Sequence, residues 1–511
     1  MESQRDIDME QKNPWHRKTI LCILFLFLLG IVALVCIGVI QNRPLPENVK
    51  YGIVLDAGSS HTSVFVYSWP GEKENDTGVV KQVTHCNVNG SGISSYANKV
   101  QNAGKSLQNC MDKAMEDIPK RRHSETPVYL GATAGMRLLE LQNATLSDGV
   151  LASVKHTLSS YPFNFQGARI ISGQEEGAYG WITINYLLET FFEPQSIFRS
   201  ELTNTYGALD LGGASTQITF VPEEQIESPQ NLSYFRLYGR SYNVYTHSYL
   251  CYGKDQALRV MLAKQQQESN GSNIIRTPCF YKDFEMNYTD VYSSPCTASY
   301  LKEDMNSNIS ILVVGEGDAE KCRQNLKNLF NKSTCRFSNC GFNDVFQPHV
   351  FGKFGAFSAF YYVMRTLNAS DTPLPLHEIK ERTKVFCKKT WQQVKQENAH
   401  VKEKYLKYLM ETCFSANYIL MLLEYGYKFS NETWENIEFR RKIKNTDAGW
   451  TLGYMLNLTN MIPAESKQQP LLPYGGYVTL MVLFSIFLLV VLLMGLICFQ
   501  RRSCTTGKYS I

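Results

Sequence analysis

Two aspartates occupy matched positions in a stretch that the chain spells twice. Residues 51–60 read YGIVLDAGSS and residues 206–215 read YGALDLGGAS. In each copy an apolar run ends in an aspartate, Asp56 or Asp210, and small residues follow. The run predicts a buried strand, and the small residues predict a tight turn whose backbone N–H groups suit phosphate oxygens. The pair therefore indicates a duplicated unit with two turns facing one cleft and the aspartates near a cation that accompanies phosphate.

Two adjacent glutamates follow another strand-like run. Residues 169–181 read RIISGQEEGAYGW, so that Glu175 and Glu176 stand at the start of a predicted helix. A carboxylate in that place is suited to proton transfer. Consecutive helical residues differ by about 100° in direction, so only one of the two faces a cleft, and the sequence does not choose between them. The alternative is that both are solvated acids favoured by the helix dipole.

Three more stretches carry candidate site residues. Residues 128–137 read VYLGATAGMR, a strand followed by small residues that include Thr133. Residues 447–457 read DAGWTLGYMLN, in which Trp450 precedes a strand-like run and either packs in the core or lines a pocket. Residues 354–364 read FGAFSAFYYVM and have aromatic residues at helical spacing. This last stretch is either a buried helix face or a platform on which a nucleobase stacks.

The elements that must position these side chains are strand-like runs in alternation with helix-like ones, which predicts an α/β architecture. Residues 51–67 and 206–221 each predict a strand, a turn and a return strand. The stretch from about 225 to 345 contains six cysteines and five Asn-x-Ser/Thr sequences. We interpret it as a loop-rich, disulfide-stapled elaboration of the second half.

Two uncharged apolar stretches, Thr19–Ile40 and Tyr477–Phe499, exceed the ~20 residues that a transmembrane helix needs. The first has an apolar core too long for a signal peptide, and basic residues follow the second, unlike a lipid-anchor signal. Basic residues just before the first stretch and just after the second predict two transmembrane helices with both tails cytoplasmic and the chain between them outside. These residues are Lys12, Arg17, Lys18, Arg501 and Arg502.

Glycosylation sequences and cysteines agree with that topology. All eleven Asn-x-Ser/Thr sequences lie between the spans, as do ten of the fourteen cysteines, and this even number predicts disulfides. The formal net charge of +4, without a long basic run, argues against a nucleic-acid partner. The acceptor residues are Asn75, Asn89, Asn143, Asn231, Asn270, Asn287, Asn308, Asn331, Asn368, Asn431 and Asn457.

Five of the stretches quoted above resemble the five apyrase conserved regions, and they occur in the same order. The resemblance extends from about residue 47 to residue 464. The two flanking spans are typical of the cell-surface branch of this family, the ectonucleoside triphosphate diphosphohydrolases. The resemblance implies the two-lobed fold shared by actin, hexokinase and the heat-shock ATPases, with the active site in a cleft. It also implies hydrolysis of extracellular nucleoside tri- and diphosphates (ATP, ADP, UTP, UDP) to monophosphates with Ca²⁺ or Mg²⁺, which would end purinergic signalling at the plasma membrane.

The resemblance also implies roles for individual residues. Glu176 matches the catalytic base, Ser215 and Gln217 match residues that hold the attacking water, and Tyr362 matches an aromatic that stacks on the base. The residues that match the metal site, acting through its waters, are Asp56, Asp210, Thr133 and Trp450. The residues that match the two phosphate cradles are Ser59, Ser60, His61, Gly212, Gly213 and Ala214. The implied disulfides are Cys86–Cys110, Cys251–Cys296, Cys279–Cys322, Cys335–Cys340 and Cys387–Cys413.

We predict the following order of segments along the chain: a cytoplasmic tail (1–18), a transmembrane helix (19–40), lobe I (41–172), lobe II with a disulfide-rich insertion (173–440), a return to lobe I (441–465), a linker (466–476), a transmembrane helix (477–499) and a cytoplasmic tail (500–511). The spans contain small residues, including Gly30 and Gly38, and would pair with each other or across subunits of a homo-oligomer. Three alternatives stay open: a kinase of the same broad fold, a nucleotide-binding receptor or adhesion protein with an inactive cleft, and an organelle-lumen nucleoside diphosphatase.

Overall fold

The structure is a computed structural model that describes residues 14–42, 49–73, 75–192, 205–301, 309–331, 334–370, 372–403, 406–462 and 472–506. The acceptor Asn308, most of the predicted linker and parts of both predicted tails lie outside these residues. The described chain forms two compact units, one made of residues 49–465 and the other of the segments before and after them.

The helices of the described chain are α1 (Pro14–Gln41), α2 (Gln101–Ser106), α3 (Gln108–Asp117), α4 (Ala134–Gln142), α5 (Ala144–Ser159), α6 (Gly173–Leu187), α7 (Lys254–Glu268), α8 (Ala319–Lys327), α9 (Ala359–Thr366), α10 (Leu376–Cys387), α11 (Trp391–Glu397), α12 (Leu406–Met410), α13 (Thr412–Met421), α14 (Asn431–Trp434), α15 (Trp450–Thr459) and α16 (Tyr474–Thr506). The strands are β1 (Val49–Ala57), β2 (Thr62–Pro70), β3 (Lys81–Asn87), β4 (Pro127–Ala132), β5 (Asn164–Ile170), β6 (Gly207–Leu211), β7 (Ser215–Phe220), β8 (Leu232–Leu237), β9 (Arg240–Leu250), β10 (Ile274–Thr277), β11 (Glu285–Tyr288), β12 (Ile311–Gly315), β13 (Phe354–Ser358), β14 (Ile437–Phe439), β15 (Lys442–Ile443) and β16 (Thr446–Asp447).

Two mixed sheets repeat one topology, which confirms the predicted α/β architecture. The first has the order β3-β2-β1-β4-β5 and the second has the order β14-β13-β6-β7-β9-β8. In each, three strands pair antiparallel and two more add in parallel beside the first of them, and the second sheet has β8 as an additional antiparallel strand beside β9. The first sheet is drawn from residues 49–170 and the second from residues 207–439. The duplication seen in two short sequence stretches therefore extends to whole sheets.

Both predicted hairpins are present, and their turns have the same length. Ala57 pairs with Thr62 in the first hairpin, and Leu211 pairs with Thr216 in the second. Each pair encloses four residues, 58–61 in the first turn and 212–215 in the second. The apolar residues that lead into each turn are buried, and helices pack on the strands of both sheets.

Two helices cross between the sheets. Helix α6 follows the first sheet in the chain but packs on β6, β7 and β9 of the second, while α15 follows the second sheet and packs on β1 and β2 of the first. The two helices also pack on each other, and a Cβ added at Gly453 would lie 1.9 Å from the carbonyl oxygen of Tyr179. Only glycine permits this approach. The lobe boundaries near residues 173 and 441 stay a prediction.

Two sequence interpretations of local structure were wrong. The run after Trp450 is a helix, α15, rather than a strand; the consecutive residues Thr451, Leu452 and Gly453 are all buried, so the helix is buried on different sides. A short helix that is apolar all round has no clear periodicity and is easily taken for a strand. Residues 354–358 form strand β13 because β6 and β14 pair with both of its edges, and helix α9 begins only at Ala359.

All five disulfides implied by the resemblance are formed, namely Cys86–Cys110, Cys251–Cys296, Cys279–Cys322, Cys335–Cys340 and Cys387–Cys413. Four of them involve the second half of the chain. The elaboration between residues 225 and 345 is less loop-rich than its sequence suggests, because it contributes β8 and β9 to the second sheet and forms the separate three-stranded sheet β10-β12-β11.

The other unit contains two helices that are long and apolar enough to cross a membrane, over Lys18–Gln41 and Tyr474–Cys498. Only 6% of the most apolar window of each helix is buried, which is unlike the core helix of a soluble protein. The helices pack on each other, and a Cβ added at Gly30 would lie 2.6 Å from Leu488 Cδ2. A Cβ added at Gly38, in contrast, would meet no atom within 4 Å among the described residues outside its own turn of helix.

Candidate active site

The two hairpin turns face each other. A Cβ added at Gly213 in the second turn would lie 2.8 Å from Ser59 Oγ in the first turn. Gly135, at the start of α4, approaches the first turn from another side, since its Cβ would lie 2.7 Å from Ser59 Cα. Thr133 caps the same helix and donates its N–H to the carbonyl of Ala57 at 3.0 Å. The strands and α4 thus bring both predicted phosphate cradles and Thr133 to one place.

The first turn offers polar side chains. Ser60 and His61 are exposed, and Ser60 Oγ lies 3.1 Å from His61 Nδ1. Ser59 is half-buried between the turn and its neighbours Gly135 and Gly213. These three residues match the position that the sequence predicted for a phosphate cradle, and hydroxyl and imidazole groups are suitable donors for a phosphate oxygen.

The second turn offers backbone N–H groups rather than side chains. The N–H groups of Gly213 and Ala214 have no hydrogen-bond acceptor in the described part of the chain. Gly212 differs from the prediction, because its N–H donates to the carbonyl of Ser215 at 2.9 Å and closes the turn. The turn is fixed from behind by α7, whose first N–H groups, from Lys254 and Asp255, donate to the carbonyls of Gly212 and Gly213 at 2.9 Å each.

A buried hydrogen-bond network contains the predicted base and water-holding residues. Gln217 Nε2 lies 2.7 Å from Ser215 Oγ, 3.2 Å from Glu176 Oε2 and 2.9 Å from Ser248 Oγ. Arg137 Nη2 donates to Glu176 Oε2 at 2.6 Å and to Ser215 Oγ at 3.2 Å. Glu176 and Gln217 are 8% and 1% exposed, so the carboxylate is held by polar partners in a nearly dry place.

The two adjacent glutamates have different surroundings. Glu175 pairs with Arg169 at 2.6 Å, and its side chain also accepts a hydrogen bond from the N–H of Ser172 in a capping box. Glu176 points one helical step away, into the network with Arg137 and Gln217. Glu175 therefore begins and stabilises α6, and Glu176 is the residue of the pair that reaches the turns.

Burial raises the pKa of three neighbouring carboxyl groups, and the charge of one of them, Glu176, raises the pKa of the other two further. Burial, and next the charge of Glu176, raise the pKa of Asp56 to about 8. The same two causes raise the pKa of Asp210 to about 7. Burial also raises the pKa of Glu176, while the nearby Arg137 guanidinium lowers it. Three acidic groups near a single guanidinium form a place where a further positive charge would be stabilised.

The predicted metal residues fit a hydrated divalent cation. Asp56 Oδ1 and the indole Nε1 of Trp450 are buried atoms without a well-aligned hydrogen-bond partner in the described chain, although the indole lies near enough to the Asp56 carboxyl group to lower its pKa. No cluster of three or more His, Cys, Asp or Glu side chains suited to hold a metal ion occurs among the described residues. Two carboxylates, Asp56 and Asp210, together with unsatisfied polar atoms, suit a cation that keeps part of its water shell, as Mg²⁺ commonly does.

The predicted base-binding residue lies at the edge of this arrangement. Tyr362 is on α9, which starts directly after β13, and the last residue of β13, Ser358, pairs with Leu211 beside the second turn. The ring is 52% exposed. Its described neighbours are Tyr361 and Arg441, and none of the other predicted site residues contacts it.

Sequence reasoning missed Arg137 and Ser248, which complete the network around Glu176. Arg137 is the last residue of the quoted stretch VYLGATAGMR, where a charged side chain ends an otherwise small and apolar run. That contrast is a usable signal, since an arginine is rarely buried unless it is paired. Ser248 on β9 has no such signal, because only the pairing of β7 with β9 places it opposite Gln217.

The family model described as the GDA1/CD39 (nucleoside phosphatase) family matches residues 42–471. The chain is 54% identical over 508 residues to ectonucleoside triphosphate diphosphohydrolase 1 of Mus musculus, covering 98% of each chain. It is 52% identical to the Bos taurus protein of the same name, covering 98% of this chain and 99% of that one. It is 43% identical to ectonucleoside triphosphate diphosphohydrolase 2 of Gallus gallus, covering 94% and 97%.

Among solved structures, the chain resembles that of nucleoside triphosphate hydrolases from Neospora caninum, with a TM-score of 0.60 at 14% identity. The likeness covers 84% of this chain and 95% of the other. At this identity the likeness concerns the fold, and it confirms that the fold expected from the sequence resemblance is present.

Proposed function

This chain belongs to the GDA1/CD39 (nucleoside phosphatase) family, and we propose that it hydrolyses nucleoside tri- and diphosphates to monophosphates and inorganic phosphate. One observation carries the proposal: Glu176, Ser215, Gln217 and Arg137 form one hydrogen-bonded network beside two turns that face each other. Phosphoryl transfer to water needs a positioned water and neutralised phosphate charge, and this arrangement offers groups for both.

The network would position and activate the water. Gln217 Nε2 lies within hydrogen-bond distance of both Glu176 Oε2 and Ser215 Oγ, so the polar atoms of the three side chains lie close together. In our proposal they hold the water while Glu176 accepts its proton, as a general base within hydrogen-bond reach. Arg137 keeps Glu176 ionised and oriented, so it is a positioning residue. No covalent intermediate is needed.

The two turns would hold the phosphate chain by different groups. Ser59, Ser60 and His61 would donate from side chains, and Gly213 and Ala214 from backbone N–H groups. Gly212 would not donate to the phosphate chain, because its N–H donates to the Ser215 carbonyl within the turn. Two facing cradles would grip a phosphate chain in two registers, which is how we explain acceptance of both tri- and diphosphates.

A Ca²⁺ or Mg²⁺ ion would neutralise charge on the phosphate oxygens when it is bound. Asp56 and Asp210 would hold it through its water shell, with Thr133 and Trp450 as further partners of those waters. These residues come from both hairpins and from α4 and α15, so the ion's site depends on how the two sheets face each other.

We further propose that α1 and α16 cross the plasma membrane and that residues between them lie outside the cell and carry N-linked glycans. Most acceptor asparagines in the described chain are exposed, as such sites require. Asn231 is an exception at 5% exposure, because its amide lies within hydrogen-bond distance of the Thr246 carbonyl and of His247 Nδ1. We expect Asn231 to carry no glycan.

The decisive experiment compares the two adjacent glutamates. E176Q should reduce phosphate release from ATP or ADP by about 10²- to 10⁴-fold, the usual contribution of a general base, because an amide cannot accept the proton. E175Q is the matched control and should keep most of the activity, since glutamine also completes a capping box. The measurement is phosphate release by intact cells that display the full chain, with nucleotide supplied outside.

Nucleotide binding to solubilised E176Q should persist, measured as a ligand-dependent rise in melting temperature. Phosphate release by E176Q at the wild-type rate would contradict the assignment of the base. A wild-type protein that binds nucleotides without releasing phosphate would instead favour the receptor with an inactive cleft.

A further inference from the structure

One arginine and one tyrosine lie together at the ligand-binding edge of the second sheet. Strands β6, β13 and β14 are parallel, so their carboxyl ends share one edge, and β6 leads there into the second turn. Tyr362 follows the end of β13 on α9, and Arg441 follows the end of β14 by two residues. Ligands of α/β proteins bind outside the carboxyl ends of such strands.

The Arg441 guanidinium lies over the ring of Tyr362. The guanidinium carbon of Arg441 lies 6.0 Å from the ring centroid of Tyr362, within the range of a cation–π contact. Both side chains are exposed, so neither is placed there by burial in the core. The backbone of Arg441 is fixed, because its carbonyl accepts the N–H of Ala448 at 3.0 Å and closes the β15–β16 hairpin.

Arg441 has hydrogen-bond donors to spare, unlike its neighbour Arg440. Arg440 Nη2 pairs with Glu438 at 2.8 Å, and its Nε lies 3.1 Å from the same carboxylate oxygen. The Arg441 guanidinium makes no hydrogen bond or ion pair with any described residue. An arginine presents five N–H donors in a planar fork, so one that the protein leaves unsatisfied beside an exposed aromatic ring is equipped for a planar ligand with acceptor atoms.

We infer that Arg441 is a specificity-determining residue that favours guanine over adenine nucleotides, an inference that rests on the proposed function. Tyr362 offers a π-face on which any base stacks. The guanidinium fork matches the two neighbouring acceptors O6 and N7 of guanine, whereas adenine places an amino donor beside N7 and repels one arm of the fork. The ring therefore supplies general affinity for bases, and Arg441 discriminates between them.

The test measures kcat and KM of the full chain for GDP and ADP. In the wild type, kcat/KM should be higher for GDP. R441A should lower the GDP-to-ADP ratio of kcat/KM by about 5-fold, through KM rather than kcat, because the lost contact lies away from the reacting phosphate. R441K keeps the charge without the planar fork and should lose most of the preference too. R440A is the matched control and should leave the ratio unchanged.

The outcomes separate this inference from the proposed function. If R441A hydrolyses both nucleotides with the wild-type ratio, Arg441 is a solvated side chain resting on a tyrosine, and the inference is wrong while the function stands. If R440A and R441A change the ratio equally, the effect is one of general surface charge, which also overturns the inference. If the wild type hydrolyses neither nucleotide, the proposed function fails instead.

Discussion

The two hairpins share a register but differ in the groups that they offer. In the first, Asp56 pairs with Ser63 across the strands; in the second, Asp210 pairs with Gln217. Both turns have four residues, and both aspartates stand one residue before the turn's closing pair. The duplication therefore preserved the position of the two carboxylates and the length of the turns, which are the features a shared cation and a shared phosphate chain require.

The difference lies in the return strands and in what supports each turn. Ser63 Oγ donates to Asn87 Oδ1 at 2.8 Å, toward β3 and away from the other hairpin. Gln217 at the matching place enters the network with Glu176. The second turn is also fixed by N–H groups of α7, and no helix terminus of the described chain donates to the first turn in this way. One copy thus kept a general binding role, while the other acquired the residues for water activation.

The largest expected effect comes from replacing Gln217, and Ser63 at the matching position of the first hairpin is the control. Q217A should lower kcat by about 10²-fold, because a positioned donor beside the water is lost. S63A should change kcat by less than about 3-fold, since its hydroxyl serves only the contact between β2 and β3. Steady-state phosphate release measures both. Equal losses would show that the hairpins are functionally symmetric.

The next largest effect concerns Arg137, which joins α4 of the first half to Glu176 and Ser215. R137M should reduce kcat/KM by about 10-fold at neutral pH and move the acidic limb of its pH profile to higher pH. The reason is that burial raises the pKa of Glu176 and the guanidinium lowers it, so losing the cation leaves the base protonated over a wider range.

The pH profile separates this role from a structural one. R137K keeps a positive charge and should shift the limb less than R137M. A profile that keeps its wild-type shape in R137M, at any reduced rate, would contradict the role of Arg137 in holding Glu176 ionised.

A smaller effect tests whether the turns face each other in solution. A Cβ at Gly213 would lie 2.8 Å from both Ser59 Oγ and Asp255 Oδ2, so G213A should crowd the space for phosphate and raise KM by about 5-fold. G212A is the control, because its nearest contact is the Ser215 carbonyl of its own turn at 3.2 Å. A G213A variant with the same KM as G212A would argue against the facing turns.

The smallest expected effect is a change in stability with pH, to which the two aspartates should contribute alike. Their folded-state pKa values, about 8 for Asp56 and about 7 for Asp210, lie above the ordinary 3.8. The folded state therefore binds more protons than the unfolded state across this range, so the free energy of unfolding without a cation falls as pH rises from about 4 toward 8. A cation that binds the ionised pair should reverse this trend.

The measurement is the rise in melting temperature on adding Ca²⁺ to the chelated protein, at pH 6 and pH 8. The rise should be larger at pH 8, and about 2.7 kcal/mol of stabilisation is expected at 100 times the Kd. D56N and D210N should each diminish it to a similar degree. A rise that persists in both variants would place the cation elsewhere.

Local sequence patterns were sufficient to predict many of the structural elements. Both hairpins, the five disulfides and the two apolar helices were predicted from runs of residues or from a resemblance that such runs support. The interpretation of the run after Trp450 as a strand was wrong because a short helix buried on all sides has the composition of a strand. Gly212 stays a predicted member of the phosphate cradle, but the sequence pattern did not reveal that its N–H closes the turn by donating to the Ser215 carbonyl.

The sequence by itself determined where the chain turns and which residue types follow each turn, since strand and turn preferences act over a few neighbouring residues. Local pattern left the choice between Glu175 and Glu176 open, and the family resemblance pointed to Glu176. Only the tertiary structure showed the different partners of the two side chains and placed Arg137 2.6 Å from the Glu176 carboxylate. It also set the high pKa values of Asp56 and Asp210, which arise from burial and from the charge of Glu176. The physical reason is that α6 leaves the first sheet and packs on the second, so the contacts that define the site join segments distant in sequence.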